Sequence, residues 1–255
     1  MRKTEQRQSI PPDPHCRPDG RFALRFWHSV NRVYTRAYHR IEVRTPYRIP
    51  ATGAAILVCN HTSGLDPLLL QSVSPRVITW MAAKEFVEHP ALNWFFRTIG
   101  AIPVARSGRD TASVRAAMRA LHDGKLLGVF PEGRIEDARA LLPFQDGVAQ
   151  MAMKTGVSVY PAYLDGTQRN KPMLRAFLEA QDVRVAFGPP ITFGRGGGDK
   201  DALPAATGRI RDAIGELMAR HALTTPLPPA PVEPSDPPVQ APGAAEAAPA
   251  ASADL

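Results

Sequence analysis

One stretch of the chain sets an imidazole and a carboxylate five residues apart: Asn60-His61-Thr62-Ser63-Gly64-Leu65-Asp66. A carboxylate hydrogen-bonded to one ring nitrogen fixes the tautomer and steadies the imidazolium. The other nitrogen is then free to take a proton from an alcohol. The plainer alternative is that Asp66 only caps a helix and His61 is a polar loop residue. A metal site is disfavoured, because no second His or Cys stands nearby at ligand spacing. Ser63 as a nucleophile is disfavoured too, since the chain has no G-x-S-x-G turn.

The elements around this pair must bring its two members together. Ile56, Leu57 and Val58 read as a fully buried strand, and Asp66-Pro67 reads as a helix start with proline in the first turn. On one continuous helix, five residues would turn His61 about 140° away from Asp66. A strand-to-helix turn can instead fold the carboxylate back onto the ring. That places His61 at the carboxyl end of a buried strand, the edge where open α/β sheets bind ligands.

Two further groups fall at the same kind of position. Leu126 to Phe130 reads as a second buried strand, ended by Pro131-Glu132-Gly133. Ala101 to Ala105 reads as an extended stretch ending at Arg106, before the loop Ser107-Gly108-Arg109-Asp110 and a helix over Thr111 to His122. Arginines at a helix start make a phosphate cradle, with an exposed basic loop as the alternative.

Taken together, these residues resemble the glycerolipid acyltransferases, typified by lysophosphatidic acid acyltransferase. Asn60 to Asp66 is similar to that family's N-H-x-S-x-x-D block, and three more blocks follow in the family's order. They are Gly100 to Arg106, Phe130-Pro131-Glu132-Gly133, and Val159-Tyr160-Pro161. The resemblance spans roughly residues 40 to 190. It implies His61 and Asp66 as the catalytic pair. It also implies Asn60, Ser63, Arg106, Glu132, Gly133 and Arg134 as residues around the substrate, Arg106 holding an acceptor phosphate. Family members read F-P-E-G-T-R where this chain has Phe130-Pro131-Glu132-Gly133-Arg134-Ile135-Glu136-Asp137. The arginine arrives one residue early and two acids follow, so the acceptor headgroup is open at this point.

The chain's 255 residues, 44% of them hydrophobic, suit one ordinary domain with a substantial core. Cys16 and Cys59 lie far apart, and Cys59 falls in the core strand, which argues against a disulfide framework. No apolar stretch has the length of a membrane span and no secretory leader is expected. Net charge is +7, yet from Ala222 onward there is no Lys or Arg and four acids, so residues 1–221 carry +11. A basic body suits an anionic partner, and without a zinc module, helix-turn-helix or stacking motif, nucleic acid is not that partner.

From Arg21 to Ile41, helical projection puts Phe22, Phe26, Val30, Val33, Ala37 and Ile41 on one face, widened by Trp27, Tyr34 and Tyr38. Arg21, Arg25, Arg32, Arg36 and Arg40 fall beside it. Aromatic and basic faces segregated this way suit a helix lying in a bilayer interface, with packing on the domain as the alternative. Phe86, Trp94, Phe95 and Phe96 supply more apolar bulk, either to the core or, as the resemblance implies, near an acyl groove.

The expected architecture is α/β: a central, mostly parallel sheet flanked by helices, with four parts. Residues 1–20 are expected to be disordered, 21–41 an amphipathic interface helix, 42–222 the acyltransferase domain, and 223–255 a disordered Pro/Ala-rich tail with nine prolines from Thr224 on. The implied activity moves a fatty acyl group from acyl-CoA or acyl-carrier protein to the hydroxyl of a lysophospholipid, 1-acylglycerol-3-phosphate first. Another lysolipid or amino-lipid acceptor is the alternative. A thioesterase or a non-catalytic lipid-binding protein ranks below both. No bound cofactor or metal is called for. The expected place is peripheral, on the cytoplasmic face of an anionic membrane.

Overall fold

The buried run Ala55–Cys59 becomes β2, the middle strand of a seven-stranded sheet ordered β1-β7-β6-β2-β5-β3-β4. The structure is a computed structural model and describes residues 22–105, 110–135, 140–168, 177–194 and 202–222. The other strands are β1 (Arg40–Val43), β3 (Ile78–Ala83), β4 (Ile102–Val104), β5 (Leu126–Val129), β6 (Val159–Asp165) and β7 (Asp182–Phe187). Five neighbours, from β6 to β4, run parallel. β7 is antiparallel to β6, and β1 runs parallel to β7, so this outer pair reverses the direction of the sheet. The first residues of β1 and β7 therefore share an edge with the last residues of β2, β5 and β6.

Period-two alternation sorts the sheet into two cores. Ile56 and Val58 face a layer with α5 (Thr111–His122), α6 (Gly147–Thr155) and α7 (Ala202–His221). Ala55, Leu57 and Cys59 face the other, with Leu69, Leu70 and Val73 of α2 (Asp66–Val73). A strand buried on both faces has no polar side, which is why β2 reads as an unbroken apolar run. β6 runs straight through Pro161, whose missing N–H does not end the strand.

At the amino edge of the sheet, a buried guanidinium cements two loops by three carbonyls. Arg76 donates to the carbonyls of Pro50 (2.7 Å), Gly53 (2.7 Å) and Gly124 (3.1 Å). Those loops feed β2 and β5, so Arg76 fixes the two central strands from behind.

The helix expected over Arg21–Ile41 is α1, Phe22–Tyr38. It stops sooner because Arg40 begins β1, its amide donating to the Gln181 carbonyl at 2.9 Å. Arg40 and Ile41 are thus strand residues, and Arg21 lies outside the described residues. The segments 1–20 and 223–255, expected to be disordered, lie outside them too. Helix α6 starts at Gly147 and ends at Gly156, whose φ of 72° is the left-handed conformation that closes a helix.

α1 carries its polar residues inward. Asn31 donates to the Leu68 carbonyl (2.9 Å), His28 meets Gln71 (2.8 Å), and Thr35 is buried. The predicted apolar stripe points out: Phe22 is 84% exposed and Val33 70%, with Phe26 and Val30 between them. Trp27 packs on Trp94 and Phe95 of α4 (Asn93–Ile99). Trp94 is itself 55% exposed, and Phe86 of α3 (Lys84–Val87) and Leu92 are exposed beside it. α4 buries no residue, so its aromatics are not core. Among the described residues, no helix is long and apolar enough to cross a membrane.

Candidate active site

The turn leaving β2 folds the carboxylate of Asp66 back on the chain. Asp66 Oδ2 accepts from the backbone amides of Thr62 (2.7 Å) and Ser63 (2.8 Å) and lies 2.9 Å from His61 Nδ1. Asp66 is the first residue of α2 and makes no cap of its own helix, which Leu65 precedes. The plain capping alternative is therefore not what the carboxylate does. Two amide donors and the helix N-terminus face the carboxylate. With Nδ1 facing a carboxylate, the ring is held with Nε2 as its remaining polar atom. Asp66 is fully buried, while the His61 side chain keeps 17% exposure, enough for a reactant to reach it.

Neighbouring groups fix the ring further. His61 stacks on Phe130 with centroids 4.0 Å apart and planes 15° apart, and Phe130 stacks on Trp80 at 5.0 Å and 5°. The column depends on a glycine. A Cβ at Gly128 would lie 2.5 Å from Trp80 Cε3 and 2.5 Å from Ile78 Cγ2, so β5 leaves the space that Trp80 occupies. The backbone is tied as well. The His61 amide donates to Glu132 Oε1 (3.3 Å), and the Leu142 amide lies 3.4 Å from Glu132 Oε2. Glu132 is buried beneath the turn at the end of β5, next to β2.

Asn60 and Ser63 face inward. Asn60 clamps β2 to β6 through both ends of its amide: Nδ2 donates to the Leu164 carbonyl (2.9 Å), and Oδ1 accepts from the Leu164 amide (2.8 Å). Ser63 Oγ accepts from the Leu65 amide at 3.3 Å within the turn. Thr62 Oγ1 lies 2.5 Å from Thr167 Oγ1, closing the turn against the end of β6. Behind the pair, burial first and the charges of Asp66 and Glu132 next push the Cys59 thiol well up, so it stays protonated.

Gly133 takes a left-handed φ of 69°, and its own missing side chain leaves room for the Gln145 amide, which a Cβ would approach to 2.5 Å. Arg134 beside it is exposed. Arg106 lies outside the described residues, as do Arg109, Glu136 and Asp137. What the structure does fix is the base of that loop. Asp110 accepts from the Ala105 amide (2.7 Å) with one oxygen and from Ala112 and Ser113 (3.1 and 3.0 Å) with the other. One carboxylate thus caps α5 and closes the segment that carries Arg106.

Known proteins resemble this chain throughout the same region. A family described as Acyltransferase matches residues 40–165. Over that stretch the chain matches the acyltransferase family. It is 29% identical over 184 residues to the chloroplastic 1-acyl-sn-glycerol-3-phosphate acyltransferase LPAT1 of Arabidopsis thaliana, covering 70% of this chain and 50% of that one. The 1-acyl-sn-glycerol-3-phosphate acyltransferase of Bacillus subtilis is 25% identical over 154 residues, covering 59% and 73%. Several other curated relatives it matches are likewise covered over about half their length. The solved 1-acyl-sn-glycerophosphate acyltransferase PlsC of Thermotoga maritima superposes with a TM-score of 0.61 at 25% identity, covering 78% of this chain and 80% of PlsC. The mostly parallel sheet with flanking helices is the fold of that acyltransferase.

Of the site residues expected from sequence, the fold gathers His61, Asp66, Asn60, Ser63, Glu132 and Gly133 at the carboxyl ends of β2 and β5, with Arg134 next to them. Sequence reasoning assigned no role to Phe130 or Trp80. The available signal was Gly128, a glycine within an otherwise apolar buried strand, which marks a close approach by another group.

Proposed function

We propose that this acyltransferase moves a fatty acyl group from a thioester to the hydroxyl of a lysophospholipid, 1-acylglycerol-3-phosphate foremost. The observation that carries the reading is the 2.9 Å contact between His61 Nδ1 and Asp66 Oδ2. His61 Nε2 takes the proton from the acceptor hydroxyl as its oxygen attacks the thioester carbonyl. The tetrahedral intermediate collapses, the C–S bond breaks, and the departing sulfur takes the proton back from the imidazolium. The alcohol is itself the nucleophile, so no acyl-enzyme forms and no cofactor takes part. The donor is acyl-CoA or acyl-carrier protein.

The relatives named 1-acyl-sn-glycerol-3-phosphate acyltransferases support the acceptor class, and Arg106 and Arg134 are the cations assigned to its phosphate. A second acceptor reading, another lysolipid or an amino-lipid, is favoured by one observation: Arg134 follows Gly133 directly where the family pattern places the arginine one residue later. Asn60, Ser63 and Glu132 hold the turn, and Gly133 shapes it.

We also assign the outward stripe of α1, with Trp94 and Phe86, to the bilayer surface, the protein lying peripherally on the cytoplasmic face. Polar residues inward and aromatics outward invert the arrangement that suits water. Acyl transfer by the purified protein, assayed with each donor against a panel of lysolipids, tests the reading. Dependence on a lysophospholipid acceptor supports it. Release of free fatty acid irrespective of acceptor would replace it with a thioesterase.

A further inference from the structure

A second pocket, of about 410 Å³, opens on the same edge of the sheet as His61. One wall is the last turn of α1 and the start of β1, with Arg36, Tyr38, His39 and Arg40; the other is the entry to β7, with Gln181 and Asp182. β1 and β7 run against β6, which brings these first residues to the carboxyl edge. At about 4.8 Å per strand, the pocket stands on the order of 10–15 Å along that edge from His61. It shares no residue with the site described above.

Its chemistry is donor-rich. Arg36 and Arg40 are exposed guanidinium groups. His39 and Gln181 are only 4% and 7% exposed, yet His39 Nδ1 and Gln181 Nε2 have no hydrogen-bond partner among the described residues. Buried polar nitrogens without partners are rare, and a bound group with acceptor oxygens would supply them. The Tyr34 hydroxyl gives its hydrogen to the Phe177 carbonyl (2.7 Å), so His39 Nε2, 3.3 Å from that oxygen, is the N–H of the neutral ring. Burial holds the His39 pKa below its ordinary value, so Nδ1 is an acceptor in the free pocket and becomes a second donor only when a bound anion draws a proton onto the ring. The Gln181 carbonyl already accepts from the Arg40 amide, so its main chain is fixed while its side-chain amide can turn. Asp182 is the opposing charge, an exposed partner of Arg40 at 3.3 Å.

A compact anion with several acceptor oxygens matches this set, and the rim says what it is attached to. Tyr38 is exposed at the pocket's α1 wall, and Val33, earlier on the same helix, is exposed in the outward apolar stripe. We propose that this pocket binds the phosphate headgroup of an anionic membrane lipid, seating α1 at a fixed depth and turning the carboxyl edge of the sheet toward the bilayer. The inference rests on the outward face of α1 meeting that bilayer.

Co-sedimentation of the full chain tests it, using phosphatidylcholine vesicles with and without phosphatidic acid. Two basic residues near an anionic surface are worth roughly thirtyfold in binding. Arg36→Gln with Arg40→Gln should therefore lose that much affinity for the anionic vesicles and keep its affinity for the neutral ones. Arg115→Gln with Arg119→Gln removes the same charge from exposed positions on α5 and should lose far less. Gln181→Leu, which changes no charge, should lose several-fold, with an unchanged Tm showing that it folds. Equal losses in the two arginine pairs would overturn the pocket in favour of diffuse surface charge. Release by inorganic phosphate at constant ionic strength would overturn the lipid source and give the pocket to a soluble phosphate ester. Equal binding to both vesicle types removes the pocket alone, whereas no binding to either removes the bilayer reading with it.

Discussion

The two edges of the sheet are built from the same kind of loop and do opposite things. At the amino edge, Arg76 is buried and the described bonds of its guanidinium all run to main-chain carbonyls, those of Pro50, Gly53 and Gly124. Nothing there is left to meet a reactant. At the carboxyl edge, Asp66 is as deeply buried and its Oδ2 accepts from two amides, but the third contact of that oxygen is a ring that reaches the surface. The difference teaches that burial does not separate structure from function in this fold. What separates them is whether the chain of contacts ends in the main chain or in a group that can exchange a proton.

This contrast breaks first at Asp66. Asp66→Asn keeps the shape but puts a neutral amide opposite the Thr62 and Ser63 donors and the His61 ring. Losing the carboxylate that orients the imidazole should lower kcat about 10²-fold or more, within the span of general-base effects, with the circular dichroism spectrum retained. A kcat within a few-fold of wild type would make Asp66 a structural residue like Arg76.

Arg76→Ala is the mirror experiment. Removing a charged donor to three carbonyls should cost about 3 kcal/mol, roughly a 10 °C fall in Tm. The protein that remains folded should turn over within about twofold of wild type, because its loops are at the far edge from His61. A large drop in kcat below the melting range would erase the distinction between the edges.

Phe130→Leu sharpens the account within the active edge. The imidazole would keep Asp66 and lose the flat surface that sets its plane, for which a stacked pair is worth about 0.5–1.5 kcal/mol. We expect kcat to fall up to about tenfold with KM unchanged, and Phe130→Tyr to restore most of it. An effect on KM alone would instead make Phe130 a wall of the substrate pocket.

The smallest effect concerns Asp110. Hydrogen bonds from the Ala105 and Ser113 amides hold its carboxyl below the usual range. A folded value below the unfolded one means that its contribution is present above the unfolded pKa and is lost as pH falls through the folded one. Asp110→Ala should therefore cost about 1 kcal/mol at neutral pH, as for a lost helix cap. That gap should close below about pH 4, near the ordinary carboxyl value, when Tm is followed against pH. A gap that persists in acid would show that the carboxylate's charge is not what matters.

Much of this was legible because it is local. β2, β5 and α5 follow from apolar runs and a helix start after a short loop, all decided within a dozen residues. The turn from His61 to Asp66 was legible as a pairing, though not as a carboxylate accepting two amides, since that depends on a main-chain path that spacing cannot fix. Asn60 could not be recognised as a clamp because Leu164 is far away in sequence. Trp80 and Phe130 meet only because β3 and β5 pair out of sequence order. For α1, periodicity revealed the stripe of Phe22, Phe26, Val30 and Val33 but could not say which face the domain covers. The inward hydrogen bonds of His28 and Asn31 decide that.

The central claim is that His61, held by Asp66, removes the proton from an acceptor alcohol. The measurement closest to it is the rate of acyl transfer to 1-acylglycerol-3-phosphate by His61→Ala, with folding checked by Tm. The account predicts a fall in kcat of about 10²–10⁴ with no acyl group found attached to either protein. Transfer at the wild-type rate by His61→Ala, or an acyl-enzyme trapped on the wild-type chain, would contradict it.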